Sequence, residues 1–464
     1  MANYLSPKLT FTLLIGVPLF GFGQQAPSLP ELASRAISKS YELANAELAI
    51  KTDQETRKGI RETYIPHLEA NGKYAYMDGE LLVDLPTTSL PLLNIPLFDG
   101  RETFRGRGNL WTSDLTASAV LFSGTQVPKL GKAVDEKIKA QEFMLEKSRQ
   151  EIISKVSTAY DQIALLQQVQ KLLAESRRRL EIEQKTAEKA FTYGLITAYE
   201  LNKVSVASAA LEARQVEYEG KHRLLIKQLH ILTDVSTDSL ALINHALQPY
   251  SVPSTDAASI RTRPELNALD AAISANEYQL QAARAHWIPQ VKAMARIGYY
   301  GLTNGSLKTP YTFPLSGQPI QPGINRLQSF PTYMVGVGFR WNLFDGLQGK
   351  RAVNKAKIEL LKAENNRKQA EELVQLDLAK AQTEYNLSNK QVIAGERRLE
   401  TAAKALDIAQ KEYRTGLIKP AERVEAETDY QQAALDYYQT VFNQRRAAYQ
   451  LLIATGKLDL EQLN

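Results

Sequence analysis

YRTGLIKPAE, residues 413–422, breaks a long polar stretch that otherwise reads as helix, and FTYGLITAYE at 191–200 is a near-copy of it. Gly194 and Gly416 stand 222 residues apart. Two further landmarks keep that spacing. Leu121-Phe122-Ser123-Gly124 recurs as Leu343-Phe344-Asp345-Gly346 at 222, and Tyr64-Ile65-Pro66 recurs as Trp287-Ile288-Pro289 at 223. Three landmarks in one order at a near-constant offset mark an internal duplication.

Outward from the breaks, both copies read alike. A helical pattern, about 31–62 and 263–286, ends at the aromatic-Ile-Pro, because proline pushes its predecessor out of the α region. The second of these helices opens with Arg263-Pro264-Glu265-Leu266, with proline in the first turn, where its missing N–H costs nothing. Period-2 alternation then predicts strands at about 67–80 and 107–122, and at about 290–301 and 332–344. It is clearest where Tyr333, Val335, Val337, Phe339, Trp341 and Leu343 alternate with Gly336, Gly338, Arg340 and Asn342. Proline-bearing loops, about 81–106 and 302–330, join each pair.

After each Leu-Phe-x-Gly comes a proline-free helical pattern, about 129–191 and 347–413. Leu145, Ile152, Ala159, Leu166, Leu173 and Leu180 recur every seven residues, as do Leu378, Tyr385, Val392, Leu399, Leu406 and Tyr413. Sustained heptads predict coiled-coil packing. The glycine ends each long helix and a shorter one follows, about 197–232 and 420–455, giving helical hairpins at about 129–232 and 347–455. A helix of ~60 residues spans ~90 Å, and the shorter helices are about half that. The expected architecture is a rod with strands at one end, hairpins at the other and a seam midway. The first repeat covers 24–248 and the second 263–464, and the Pro/Ser/Thr-rich stretch 249–262 links them near that seam.

Composition removes several function classes. The net charge of +5 is a weak bias, and no basic run with interleaved aromatics points to nucleic acid. The chain has no cysteine, so thiol catalysis, cysteine metal sites, disulfides and a lipid on an N-terminal cysteine are excluded. Lys8, the apolar run Phe11 to Phe20 and Gly21-Phe22-Gly23 read as a secretory signal peptide, residues 1–23, with the mature chain from about Gln24. That run falls short of the ~20 residues a spanning helix needs, and no other segment is long and apolar enough. Membrane insertion therefore has to use strands.

Catalytic chemistry has no constellation to stand on. His67, His222, His230, His245 and His286 lack ligand spacing, and Gly346 to Lys350 lacks both the spacer and the hydroxyl residue of a phosphate loop. No catalytic, cofactor or metal residue is assigned. The abundant Glu and Lys of the helices read as solvated faces with i,i+4 pairs. The strands suit an outer-membrane barrel, with Trp111, Tyr299, Tyr333 and Trp341 as interface aromatics. A soluble sandwich sheet alternates in the same way. Four strands cannot close a barrel and an open edge is not tolerated in lipid, so a membrane sheet requires several chains to share one barrel.

Taken together, the signal peptide, the duplicated helix–strand–strand–long helix–Gly turn–helix order, Arg263-Pro264-Glu265-Leu266, Leu343 to Gly346 and the two Gly-Leu-Ile breaks resemble the TolC-type outer membrane efflux proteins (outer membrane factors), over nearly the whole mature chain. The resemblance implies a mainly α protein with membrane β: a homotrimer whose coiled-coil helices form an α-barrel through the periplasm, with a shared twelve-stranded β-barrel, four strands per chain, in outer-membrane lipid. The implied role is a passive exit duct for efflux or type I secretion. Its implied partners are a periplasmic adaptor (membrane fusion) protein and an inner-membrane transporter. The two turns resemble the family's periplasmic tips, so Phe191, Gly194, Leu195 and Ile196 with Tyr413, Gly416, Leu417 and Ile418 are expected at the adaptor docking site. The family's closing devices fall on Glu422 and Glu425 as an acidic ring and on Tyr413 with Glu200 as a link. The arginine of a second link falls on Ile418, a departure, with Lys419 adjacent. Arg423 is the repeat counterpart of Leu201. The competing reading is a periplasmic coiled-coil adaptor or envelope spacer without a channel, which the paired strands in both repeats disfavour. An enzyme is a third reading without support.

Overall fold

A computed structural model describes residues 26–89, 96–252, 263–308, 312, 316–319 and 323–460. The expected signal peptide and most of the linker between the copies lie outside these residues. The elements are α1 (Leu29–Lys39), α2 (Tyr41–Glu62), β1 (His67–Ser89), β2 (Pro96–Phe122), α3 (Gln126–Thr192), α4 (Ala198–Thr233), α5 (Thr237–Ala241), α6 (Pro264–Arg284), β3 (Gln290–Lys308), β4 (Gly323–Arg340), α7 (Gln348–Arg414) and α8 (Pro420–Ala454). A 3-10 turn, Ala285–Trp287, ends α6. The single helix expected at 31–62 is two. Ser40 is extended between them, and its hydroxyl accepts the Leu43 N–H at 3.2 Å, capping α2.

The chain divides into two compact units that cut across the repeats. One takes residues through Leu43, Lys147–Arg263 and Val374 onward; the other takes Ala44–Glu146 and Pro264–Leu373. Each unit draws on both copies, so the sequence repeat is not the folding unit.

The second unit contains one antiparallel sheet in the order β1-β2-β3-β4. The central β2–β3 pairing joins the two copies. The strands overrun the expected bounds: β1 reaches Ser89, β2 starts at Pro96, and β3 and β4 extend over residues expected as loop. In contrast, β4 stops at Arg340, so Trp341 to Phe344 lie beyond its end. The landmark motifs fasten the strand roots. Tyr64 Oη lies 2.7 Å from Ser123 Oγ, and the Trp341 indole N–H donates to the Trp287 carbonyl at 2.8 Å. Gly124, at φ +66°, lies so close to Ile288 that a Cβ would come within 2.9 Å of its carbonyl. Only glycine meets both demands without strain.

In the first unit, α3, α4 and α8 share a core. Leu165, Val169, Leu173 and Leu180 of α3 pack with Val204 and Leu211 of α4 and Val424 and Phe442 of α8. Of the heptad row on α3, Leu173 and Leu180 lie in this core; Ile152, Ala159 and Leu166 are buried outside it and Leu145 is half-buried. The Arg263 that opens the second repeat is buried, donating to the Ala454 carbonyl (3.1 Å) at the end of α8 and to Asp377 of α7 (3.2 Å). The described start of the linker is tied down as well. The Tyr250 N–H and carbonyl bond the Gln444 side chain of α8 at 2.8 and 2.7 Å, and the Val252 N–H donates to Tyr385 Oη of α7 at 2.9 Å.

Candidate functional sites: the sheet face and the helical turns

The strand registers convert sequence alternation into a surface. Leu68, Ala117, Ala295 and Val335 lie side by side across all four strands; the next apolar row is Ala70, Leu115, Ile297 and Tyr333. Ala119, Ala293 and Val337 continue the face, as do Val291 and Phe339. The intervening rows are mostly polar: Glu69, Thr116, Arg296 and Met334, then Asn71, Asp114, Gly298 and Thr332. Arg296 is paired with Asp114 on that face, and Asp114 also accepts from Thr116 at 2.9 Å. The apolar face is uncovered: Val335 is 83% and Phe339 75% exposed. Of the expected interface aromatics, Trp111 packs on Tyr74 with ring centroids 4.7 Å apart, and Tyr299 meets Phe330 at 6.1 Å. Tyr333 is exposed on edge strand β4, and Trp341 sits past its end. The outer edges of β1 and β4 have no strand partner among the described residues.

The two Gly-Leu-Ile breaks fold alike. Leu195 N–H bonds the Ala190 carbonyl (2.8 Å) and Gly194 N–H the Phe191 carbonyl (2.9 Å); Leu417 bonds Glu412 (2.9 Å) and Gly416 bonds Tyr413 (3.0 Å). This 6→1 and 5→2 pair is the Schellman closure, which needs a left-handed residue at the glycine. Gly194 and Gly416 supply φ of +70° and +76°. Ile196 and Ile418 are half-buried, Ile196 against the α3–α4–α8 core. The leucines are not used by the fold. Leu195 and Leu417 are 76% and 75% exposed, and Phe191 is exposed with them.

Beside the turns lies a cavity of about 880 Å³ lined by residues of all four helix ends, and beneath it a buried charge network. Glu427 of α8, with none of its surface exposed, takes Arg179 of α3 in a forked pair at 2.9 and 2.9 Å. Arg423 sits 3.4 Å from Glu183 and 3.9 Å from Glu427, and Ser176 and Gln431 complete the set. The Tyr413 hydroxyl of α7 lies beside Glu183, near enough for each to shift the other's hold on its proton. Burial pushes the Glu183 carboxyl above the usual range, against the pull of Tyr413 and Arg423. Burial and the Glu183 charge push the Tyr413 phenol up to about 12.

Two expectations can be set beside this geometry. Within the chain the carboxylate that acts on Tyr413 is Glu183, while Glu200 makes its own bonds elsewhere. Glu200 is committed to capping α4: its carboxylate accepts the Thr197 N–H at 2.8 Å while Thr197 Oγ1 accepts the Glu200 N–H at 3.3 Å. The Thr197 N–H, followed by its hydroxyl and Lys419, holds that carboxyl below the usual range. Lys419, beside the departure at Ile418, stands 3.7 Å from Glu200. The second concerns charge, and is corrected. Arg179, Glu183, Arg423 and Glu427 are not solvated-face residues, and neither are Asp161 and Arg445, which pair at 2.7 Å in the core with Tyr449. The pairs that tie α3 to α8 (Arg179 with Glu427, Glu183 with Arg423, Asp161 with Arg445) lie more than 200 residues apart, and the i,i+4 spacing of Arg423 and Glu427 is also that of a solvated pair, so local spacing did not announce the burial. The one available signal was Arg423, a charge where its counterpart is Leu201. Glu422 and Glu425 are exposed on the first two turns of α8.

Among the described residues no helix is long and apolar enough to cross a membrane, and no carboxylate and histidine cluster could hold a metal. Duplicated hairpins of long helices joined to an amphipathic sheet left open at both edges define the outer-membrane channel fold. The family model described as "Outer membrane efflux protein" matches residues 32–229 and 258–457, and the chain belongs to that family. Solved structures carry the same fold at low identity. They include the CmeC outer membrane channel of Campylobacter jejuni (15% identity, TM-score 0.70, covering 99% of this chain and 96% of that one). The outer membrane protein VceC of Vibrio cholerae (18%, 0.68, 92% and 96%) and the open state of the MtrE channel of Neisseria gonorrhoeae (15%, 0.68, 98% and 97%) are further examples. No curated protein matches the sequence directly. The family and fold are those of channels, and the chain is an outer-membrane efflux duct of tripartite pump systems.

Proposed function

We propose that the working duct is a homotrimer in which three four-stranded sheets close one twelve-stranded barrel, and that it passively carries cargo from an inner-membrane transporter and a periplasmic adaptor to the outside. The observation that carries this reading is the sheet: one apolar face continuous over four strands, ending in two edges with no strand partner among the described residues. Unpaired backbone groups cannot stay in hydrocarbon, where each costs several kcal/mol. Edge must meet edge, β4 of one copy against β1 of the next. The strands are 18–27 residues long, against the ~9–11 a bilayer requires, so the sheet projects beyond the membrane at its loop end. Thr312 and residues 316–319 then face the outside, and the chain reaches the outer membrane by way of a cleaved signal peptide.

The turns are the adaptor docking site, offering exposed Leu195, Leu417 and Phe191 beside cationic Arg414 and Lys419. Glu422 and Glu425 contribute to the closed end of the tunnel. Planar-bilayer recording tests the reading. The purified protein should form ohmic pores whose cation preference falls in Glu422→Gln/Glu425→Gln. A protein that inserts but carries no current would leave only a structural spacer.

A further inference from the structure

The acids of α8 do not stand alone. Glu422, Glu425 and Asp429 lie on one ridge of α8, at i, i+3 and i+7, and border a groove on each side. Across the first groove α4 presents Lys203 and Arg214; across the second α7 presents Arg397 and Arg398. Arg398 is held by Asp436 at 2.8 Å, whereas no ion pair within 4 Å joins Lys203, Arg214 or Arg397 to the three acids among the described residues. The Lys203 ammonium rests 5.6 Å over the ring of exposed Tyr199, a seat that holds it toward the groove. The duplication sharpens the pattern. Lys203 is the repeat counterpart of Glu425, and Arg214 that of Asp436. The two copies thus carry opposite charge at equivalent positions, on helices that face each other.

We propose that Lys203 and Arg214 of α4 are selectivity-setting counter-charges to the α8 ridge, so that the closed end is a compensated constriction of alternating sign rather than a bare acidic ring. This rests on the duct reading above. Lys203, Arg214 and Arg397 line the two grooves beside three carboxylates per chain, none of them within 4 Å of those acids among the described residues. At such separations each charge acts on a passing ion through the local potential more than through a fixed pair. The wild-type pore should therefore prefer cations only weakly, and multivalent cations should bind it less tightly than three bare acids per chain would allow.

The experiment compares wild type, Lys203→Gln, Lys203→Arg and Glu425→Gln in planar bilayers, reading the reversal potential in a salt gradient and block by a trivalent cation. Lys203→Gln should move the reversal potential toward the cation limit and lower the blocking concentration by about tenfold, since three copies each lose a positive charge. Lys203→Arg should behave as wild type, and Glu425→Gln should shift both readings the opposite way. If Lys203→Gln leaves both readings at wild-type values while Glu425→Gln shifts them, the α4 charges do not face the ions and the proposal is wrong. A wild-type protein that carries no current is a different result and overturns the duct reading itself.

Discussion

The two helical reversals share a backbone and differ in what holds them. At 191–197 and 413–419 the same glycine, the same pair of carbonyl bonds and the same exposed leucine close the helix. Past the turn they diverge. The first starts α4 with a complete capping box, Thr197 and Glu200, and then sets Leu201 against the apolar core. The second starts α8 from Lys419, which makes no capping bond, and relies on Pro420 at the first helical position. Where the first has Leu201, the second has Arg423, buried between Glu183 and Glu427. One turn is secured locally, the other by charges from a distant helix. Duplication has preserved what the backbone cannot do without and left the supports free to change.

That contrast can be broken most forcefully at Glu427. Replacing it with Gln leaves Arg179 and Arg423 facing a neutral group in the core, and a broken buried pair costs about 3–5 kcal/mol. The midpoint of chemical unfolding, followed by helix circular dichroism in detergent, should drop accordingly, and protease should cut first near the second turn. A Glu427→Gln protein as stable as wild type would mean that the network does not support that turn.

Gly194→Ala and Gly416→Ala test what the turns have in common. A Cβ at either position meets open space, so only the left-handed backbone is penalised, by about 1–2 kcal/mol. The two losses should be equal within error. Smaller again is the cap. Thr197→Ala should cost about 1 kcal/mol, while Lys419→Ala, which removes no capping bond, should cost much less. Equal effects at the two positions would erase the distinction between a local and a tertiary support.

The finest probe is pH. The folded state holds the Glu183 proton more tightly than the unfolded chain does, because its carboxyl is raised above 4.5. As pH climbs through the window just above that value, the unfolded chain releases its proton first, and the contribution of Glu183 to stability declines. Glu183→Gln should flatten that slope relative to wild type, a difference that parallel denaturation curves between pH 4 and 7 would detect.

How much of this was written in the sequence follows the range of the interactions. Helix ends set by glycine, proline and capping residues were legible: α3 was expected at about 129–191 and spans Gln126–Thr192, and α8 was expected at about 420–455 and spans Pro420–Ala454. The break at Ser40 was missed, although a serine three residues before Leu43 is a capping signal. The strands were read short, because prolines and glycines past residue 80 mask pairing that the register shows plainly from Gly79 with Gly106 to Leu85 with Gly100. The membrane face was half-legible. Alternation showed which residues share a side of each strand, but only the register shows that four such sides form one surface. The charge network was hidden, since a buried arginine and a solvated one look alike until the partner helix arrives.

All of these contrasts presuppose that each chain is one third of a closed wall, and the mass of the assembly tests that most directly. Extracted in mild detergent and weighed by light scattering with the detergent contribution subtracted, the protein should be a single species of about three times the mass of one chain, 51.8 kDa over the full sequence. On the proposed closure of β4 against a neighbouring β1, a smaller form would leave strand edges open in lipid. A monodisperse monomer, soluble without detergent, would contradict the account outright.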